Sequence, residues 1–252
     1  MTNRDKGVAL VTGASYGVGA AVAKALAKDG WTVAITATKV ENCAATAESI
    51  AASGGTCLVR ALDLRSQDSI EGLMASLASE GPVRALVNNA AVNLRRDAVD
   101  VSRDDWDMVM LANLTGTFFI TQAVGKQLID AGLDGSIVMM SSSHGLVGAP
   151  QRSTYGISKA GLIQMVRMLA VEWGPKNIRL NALAPGRLET DSPSRAGTGS
   201  DAAYMGKMLS KIPLGRFATG EDVAAMAAFL VGPGGQAITG QVISIDGGLT
   251  AA

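Results

Sequence analysis

Seven short apolar runs, separated by longer amphipathic stretches, constrain the fold of this chain more than any other feature. They cover residues 7–12, 32–36, 56–63, 85–89, 136–141, 179–184 and 241–246. They are rich in Val, Ile and Leu and lack the polar alternation of a half-exposed strand. Each is therefore expected to be a parallel strand covered on both faces. The intervening stretches carry helix signals. Gly30 stands just past a helical stretch at 20–28, and Ser66 can cap a helix running towards Glu80. Ser102 with Asp105 and Thr219 with Asp222 are spaced like capping boxes, with Asp in place of the usual Glu. This alternation implies one α/β domain with a doubly wound, mostly parallel seven-stranded sheet and right-handed crossovers.

Composition narrows the class. The chain has 252 residues, 48% hydrophobic and 17% charged, enough for one domain spanning 1–252 that buries roughly 70–75% of its unfolded surface. Lys+Arg and Asp+Glu both number 22. No basic block stands out, which argues against a nucleic-acid partner. Zero net charge does little to oppose self-association. Cys43 and Cys57 form no CxxC pair and read as reduced thiols packed as small apolar groups. No apolar run approaches 18 residues, so no membrane span is expected. Residues 1–7 are polar and lead straight into a strand, unlike a signal peptide. A cytoplasmic enzyme is the expectation. The segment 186–216 breaks the rhythm with Gly, Ser, Thr, Pro and charge around a short helical stretch at 202–209. A connection this long usually carries function, and a substrate lid at about 187–211 is expected.

After the first run comes Thr12-Gly13-Ala14-Ser15-Tyr16-Gly17-Val18-Gly19 and then a helix. A dinucleotide site needs glycines there: the turn is tight, and backbone must approach the pyrophosphate at a helix N-terminus. Strand, glycine loop and helix in one βαβ unit point to a Rossmann-type fold. The pattern TGxxxGxG resembles the short-chain dehydrogenase/reductase family, and further matches follow in order. Asn88-Asn89-Ala90-Ala91 is similar to that family's NNAG, with Ala91 replacing the glycine. Asp63-Leu64 matches the adenine-contacting acid. Pro185-Gly186 and Ile245-Asp246-Gly247-Gly248 match two later signatures.

Tyr155 and Lys159 are spaced i, i+4 and so share one helix face. A free tyrosine has a pKa near 10 and is a poor acid–base at neutral pH; a nearby ammonium favours the phenolate. Ser142, at the end of the fifth run, can donate to a substrate oxygen where charge develops. Ser142, Tyr155 and Lys159 occupy the family's triad positions, and Asn113 matches the asparagine of its proton relay. The resemblance implies that Tyr155 passes a proton to or from the substrate oxygen. It implies that Lys159 assists and holds ribose, that Ser142 steadies the oxygen, and that Asn113 supports a water chain. It also places Gly13, Ser15, Tyr16, Gly17, Val18, Gly19, Asn89, Ala90, Pro185, Gly186, Leu188 and Thr190 against the cofactor, and it implies a homotetramer. No His/Cys/carboxylate cluster has metal-ligand spacing, so no metal is expected. His144 reads equally as a pocket residue or a loop histidine. Trp106 and Trp173 read as core or interface packing.

Cofactor choice turns on the end of the second run, Thr36-Ala37-Thr38-Lys39, where no acid appears until Glu41. An acid there would accept the ribose hydroxyls of NAD, whereas Thr38 and Lys39 can hold a 2′-phosphate. NADP(H) is therefore favoured over NAD(H). The stretch 36–42 looks like that of the 3-oxoacyl-[acyl-carrier-protein] reductases, but the helix ends at 128–130 and 171–173 are not basic, as carrier docking would need. The expected substrate is thus a small-molecule carbonyl or alcohol: a 3-oxoacyl thioester, small ketone, sugar or polyol. The rival reading is a nucleotide-binding sensor or scaffold without turnover.

Overall fold

The computed structural model describes residues 6–188 and 206–251 in full, together with the helical main chain of 202–205. The seven runs form strands β1 (Val8–Thr12), β2 (Thr32–Ala37), β3 (Thr56–Ala61), β4 (Val83–Asn88), β5 (Gly135–Met140), β6 (Ile178–Pro185) and β7 (Val242–Ile245). They make one sheet in the order β3-β2-β1-β4-β5-β6-β7, and every neighbouring pair is parallel. The helices are α1 (Gly17–Lys28), α2 (Ala44–Ala52), α3 (Gln67–Leu77), α4 (Arg103–Met110), α5 (Gly116–Ala131), α6 (Ser153–Trp173), α7 (Ala202–Leu209) and α8 (Gly220–Val231).

Period-two alternation splits each central strand between two cores. On one face Leu10, Leu86, Ile137 and Leu180 pack with Leu73 of α3, Val124 of α5 and Val166 of α6. On the other, Ala9, Val11, Val87 and Val138 pack with Leu26 of α1, Ile50 of α2 and Leu230 of α8. Both faces being dry explains the continuous apolar runs of β1, β2, β4, β5 and β6. The edge strands β3 and β7, expected to be covered on both faces, hold no buried residue because each pairs on one side only. A fully buried Leu or Ile contributes roughly 1.5–3 kcal/mol relative to exposure. The predicted caps form: Ser66 accepts from Ser69 N–H, and Ser102–Asp105 and Thr219–Asp222 close as capping boxes.

The strand order reverses between β1 and β4, which opens a crevice beyond their carboxyl ends, where ligands bind in sheets of this kind. Three findings depart from the sequence reading. Strand β3 ends at Ala61, two residues before Asp63, because its pairing with β2 runs out at Ala37. Helices α4 and α5 join through a π-helical turn, Leu111–Thr115. The resulting helix, Arg103–Ala131, is long and apolar enough to cross a membrane by length and composition, yet half of its most apolar window is buried inside the protein. Of the expected lid, residues 189–201 lie outside the described residues, and Thr190 with them.

Candidate active site

The glycine loop fills the turn from β1 into α1. Gly13 has φ +65°, and a Cβ there would lie 2.7 Å from Ala90 Cα; one at Gly19 would lie 2.4 Å from Gly13 O. Only glycine lets this loop press against the end of β4. Asn89 and Ala90 hold it there. Both of their N–H groups donate to Thr12 Oγ1, at 3.0 and 3.1 Å, and Asn89 Nδ2 donates to Gly13 O at 2.8 Å. No side chain caps α1: Tyr16 precedes it in extended conformation. Tyr16 and Gly17 are exposed, and Ser15 and Val18 half-buried. The start of α1 therefore presents backbone amides and a positive dipole end to the crevice, which suits a dinucleotide pyrophosphate.

Flanking residues extend this cradle. Thr38 and Lys39 are exposed in the turn after β2, and Ala37 leaves that strand end without an acid. Asp63 accepts from Arg65 Nε at 2.9 Å and Nη2 at 2.7 Å, and this pairing holds its carboxyl below the usual range. Leu64 beside it is buried. Pro185 pairs with Ile245, and a Cβ on Gly186 would lie 2.8 Å from Asp246 Cβ, so the two C-terminal signatures meet in space. Burial pushes Asp246 up, but hydrogen bonds from Thr250 and from Gly248 N–H outweigh it and hold the carboxyl down. Leu188 bridges to Ala218 in parallel.

Tyr155 and Lys159 sit in the first two turns of α6. Lys159 is 2% exposed. Its Nζ donates to Met140 O at 2.7 Å and lies 5.6 Å from the centroid of the Tyr155 ring. Burial lowers its pKa to about 8. Ser141, Ser142 and Ser143 follow β5, and Ser141 Oγ donates to Lys159 O at 2.9 Å. The Ser142 hydroxyl accepts from His144 N–H at 3.2 Å. Close packing of this loop on α6 needs two glycines. A Cβ on Gly145 would lie 2.8 Å from Ser141 Oγ, and one on Gly156 would lie 2.8 Å from His144 O. The His144 ring meets the Tyr155 ring edge-on, with centroids 6.4 Å apart.

Asn113 is fully buried in the π-helical turn. Its Oδ1 accepts from Val92 N–H at 2.7 Å, and its Nδ2 donates to Val92 O at 2.9 Å and to Ser158 Oγ at 3.1 Å. Ser158 Oγ donates in turn to Tyr155 O at 2.7 Å. Asn113 thus ties the loop after β4 to the turn that carries Tyr155. Sequence reasoning missed Ser158, Thr12, the Met140 carbonyl and the π-helical turn. Only Thr12 carried a signal, as the first residue of the glycine motif. Beside the site lies a cavity of about 290 Å³ lined by His144 to Ala149, Arg152, Ser153, Gly156, Ile157 and Ala160. Ser142 and Tyr155 do not line it; His144 stands between. Among the described residues no group of His, Cys, Asp and Glu could hold a metal ion.

A doubly wound sheet with an amide-lined crevice at its switch point, and a tyrosine beside a buried lysine, defines a nicotinamide-dependent oxidoreductase. The chain belongs to the short-chain dehydrogenase/reductase family: residues 13–250 match the family described as enoyl-(acyl carrier protein) reductase. It is 36% identical to the D-threitol dehydrogenase of Mycolicibacterium smegmatis, over 98% of this chain and 94% of that one. It is likewise 36% identical to a 3-oxoacyl-[acyl-carrier-protein] reductase of Thermotoga maritima, covering 96% and 97%. The crystal structure of a single-residue variant of the actinorhodin polyketide ketoreductase with NADPH superposes with a TM-score of 0.92, at 32% identity and over the whole of both chains. The protein is accordingly an NAD(P)-dependent oxidoreductase that moves a hydride between a nicotinamide cofactor and a ketone or secondary alcohol.

Proposed function

We propose that Tyr155, Lys159, Ser142 and Asn113 form the catalytic set, with NADP(H) as the preferred cofactor and a small carbonyl compound or alcohol as substrate. The observation that carries this reading is Lys159, a cation shielded from solvent with its Nζ 5.6 Å from the Tyr155 ring. Burying a lysine is costly, and a fold retains one where it has work to do. When bound, the nicotinamide ring supplies or accepts the hydride. Tyr155 holds the proton that moves to or from the substrate oxygen. The ammonium of Lys159 favours the phenolate and reaches the cofactor ribose. Ser142 donates to the substrate oxygen as charge develops there. Asn113 fixes Val92 and, through Ser158, the Tyr155 turn, and it supports a proton relay to Lys159.

Thr38 and Lys39 hold the 2′-phosphate of NADP(H), while Gly13, Ser15, Tyr16, Gly17, Val18 and Gly19 line the pyrophosphate. Asp63, Leu64, Asn89, Ala90, Pro185, Gly186 and Leu188 wall the remainder. The chain works as a single cofactor-binding and catalytic domain, a cytoplasmic homotetramer. Exposed Met168 and Val171 on α6, together with Leu111 and Phe119 of the π-helical turn and α5, offer apolar surface for that assembly. A purely binding protein has no use for Tyr155 beside a buried lysine. Nicotinamide absorbance followed across a panel of ketones and alcohols with both cofactors tests the reading. Turnover favouring NADP(H) is expected; tight cofactor binding without turnover on any substrate would return the chain to the sensor class.

A further inference from the structure

Ser141, Ser142 and Ser143 follow β5 in a row, and the first of them has no part in the catalytic set. Ser141 is buried, and its backbone is anchored: its N–H donates to Leu183 O of β6 at 2.8 Å. Its hydroxyl reaches across to α6 and donates to the carbonyl of Lys159 at 2.9 Å. Inside an α-helix that carbonyl also accepts from the fourth residue on, and a carbonyl oxygen has two lone pairs. Ser141 therefore adds a bond to the helix without displacing one. Its proton is committed there, whereas the Ser142 hydroxyl accepts from His144 N–H and keeps its own proton to donate.

The neighbouring carbonyl completes the arrangement. Lys159 Nζ donates to Met140 O at 2.7 Å, so the Met140–Ser141 dipeptide grips residue 159 at both ends, by its ammonium and by its main-chain carbonyl. Among the described residues no carboxylate pairs with Lys159, and the Tyr155 ring, its centroid 5.6 Å from Nζ, is the other group the ammonium meets. His144, whose ring meets that of Tyr155 edge-on, is the titratable group on the facing loop. Gly145 leaves room for the grip. A Cβ there would lie 2.8 Å from Ser141 Oγ and 3.0 Å from Lys159 O, so a larger residue would part the hydroxyl from the carbonyl. A lysine head rides on four methylenes with many rotamers, and holding it in one place requires that its root be held as well.

We propose that Ser141 is a positioning residue for hydride transfer: by holding the main chain of Lys159 against the end of β5, it sets where the ammonium stands relative to the Tyr155 ring. It acts through Lys159 alone. This inference rests on the reading of Tyr155 as the proton carrier, and its test reads Tyr155 without requiring turnover. Tyrosinate absorbance is titrated with pH in cofactor-free protein, and the curve of the matching Tyr155→Phe protein is subtracted, which removes Tyr16 and Tyr204. Wild type, Ser141→Ala, Ser141→Thr and Gly145→Ala are compared in this way. An ammonium moved from its place favours the phenolate less. Ser141→Ala should therefore raise the Tyr155 midpoint by about half a pH unit or more, which is about threefold in phenolate fraction below it. Gly145→Ala, which keeps the hydroxyl but crowds it, should shift the midpoint the same way. Ser141→Thr, which keeps the hydroxyl, should stay within about 0.2 pH unit of wild type.

Where an alcohol turns over, its oxidation below the midpoint should fall about threefold or more in Ser141→Ala, recover as pH is raised past the new midpoint, and be restored by Ser141→Thr. A merely structural role would lower the unfolding temperature and leave the midpoint in place. A midpoint raised by Ser141→Ala, in a protein whose wild type turns over no ketone or alcohol, supports the positioning role and counts against the catalytic reading alone. A midpoint unmoved by Ser141→Ala, or a threonine variant no better than the alanine one, would overturn the role. Should Ser141→Ala fail to fold, a midpoint unmoved by Gly145→Ala would do the same.

Discussion

Lys159 Nζ donates to the carbonyl of Met140 at 2.7 Å, which fixes the buried cation to the end of β5 rather than leaving it on the helix surface. Burial lowers its pKa to about 8 from 10.5. Its charge therefore costs stability below about pH 8, and the cost is relieved as pH rises from there towards the unfolded value. The whole effect is on the order of 3 kcal/mol. Urea unfolding of wild type and Lys159→Met at pH 7 and pH 10 checks this. Wild type should gain about 2–3 kcal/mol relative to the variant between the two; a constant difference would mean that Lys159 titrates as if exposed.

Lys39 is exposed beside an acid-free strand end. Lys39→Ala should lower kcat/KM with NADPH about tenfold and leave NADH little changed, the scale of one partly solvated charge-assisted contact. Ala37→Asp should move preference further towards NAD(H), by repelling the phosphate and accepting ribose hydroxyls. A wild type that already prefers NAD(H) strongly would overturn the assignment.

Asn113→Ala should be costly in two ways. It leaves Val92 N–H and O without their partner, and removing the partners of buried polar groups costs roughly 1–3 kcal/mol each. It also frees the loop after β4 and, through Ser158, loosens the Tyr155 turn. Thermal unfolding should show a loss of about 2–4 kcal/mol, and kcat should fall more than cofactor affinity. Unchanged stability would show that the clamp does not form.

How far the sequence discloses this protein depends on the range of each interaction. The five inner strands are legible because both faces of the sheet are dry there, so their apolar runs are unbroken, whereas the edge strands β3 and β7 hold no buried residue and are legible from their Val, Ile and Leu alone. The Tyr155–Lys159 face is legible because i, i+4 geometry is local. The glycine loop is legible because Gly13 and Gly19 are steric necessities. Met140 O and Ser158 are not, since each depends on which elements tertiary packing brings together. The π-helical turn has no local signature in Leu111-Ala112-Asn113-Leu114-Thr115. The end of β3 is hidden because Leu62 and Leu64 are apolar and buried, yet β2 offers no backbone to pair beyond Ala37.

Met168 and Val171 are 61% and 81% exposed on α6, an apolar surface that assembly would cover. Sedimentation equilibrium should give about four times the 25.7 kDa of one chain. Met168→Glu with Val171→Glu should shift the mass downward, by burying charge in the interface. A wild-type mass of 25.7 kDa at micromolar concentration would contradict the tetramer.

In the proposed mechanism Tyr155 carries the proton while Lys159, 5.6 Å from its ring centroid, supports it. Single-turnover and steady-state rates of Tyr155→Phe, measured beside cofactor affinity, test it most directly. The substitution removes one hydroxyl and keeps the ring that meets His144 edge-on, so the fold and the cofactor dissociation constant should stay within about twofold. Because general acid–base help is typically ~100- to 10,000-fold, kcat should fall at least 100-fold. A Phe variant that keeps a tenth of wild-type turnover, with cofactor bound normally, would mean that Tyr155 does not carry the proton.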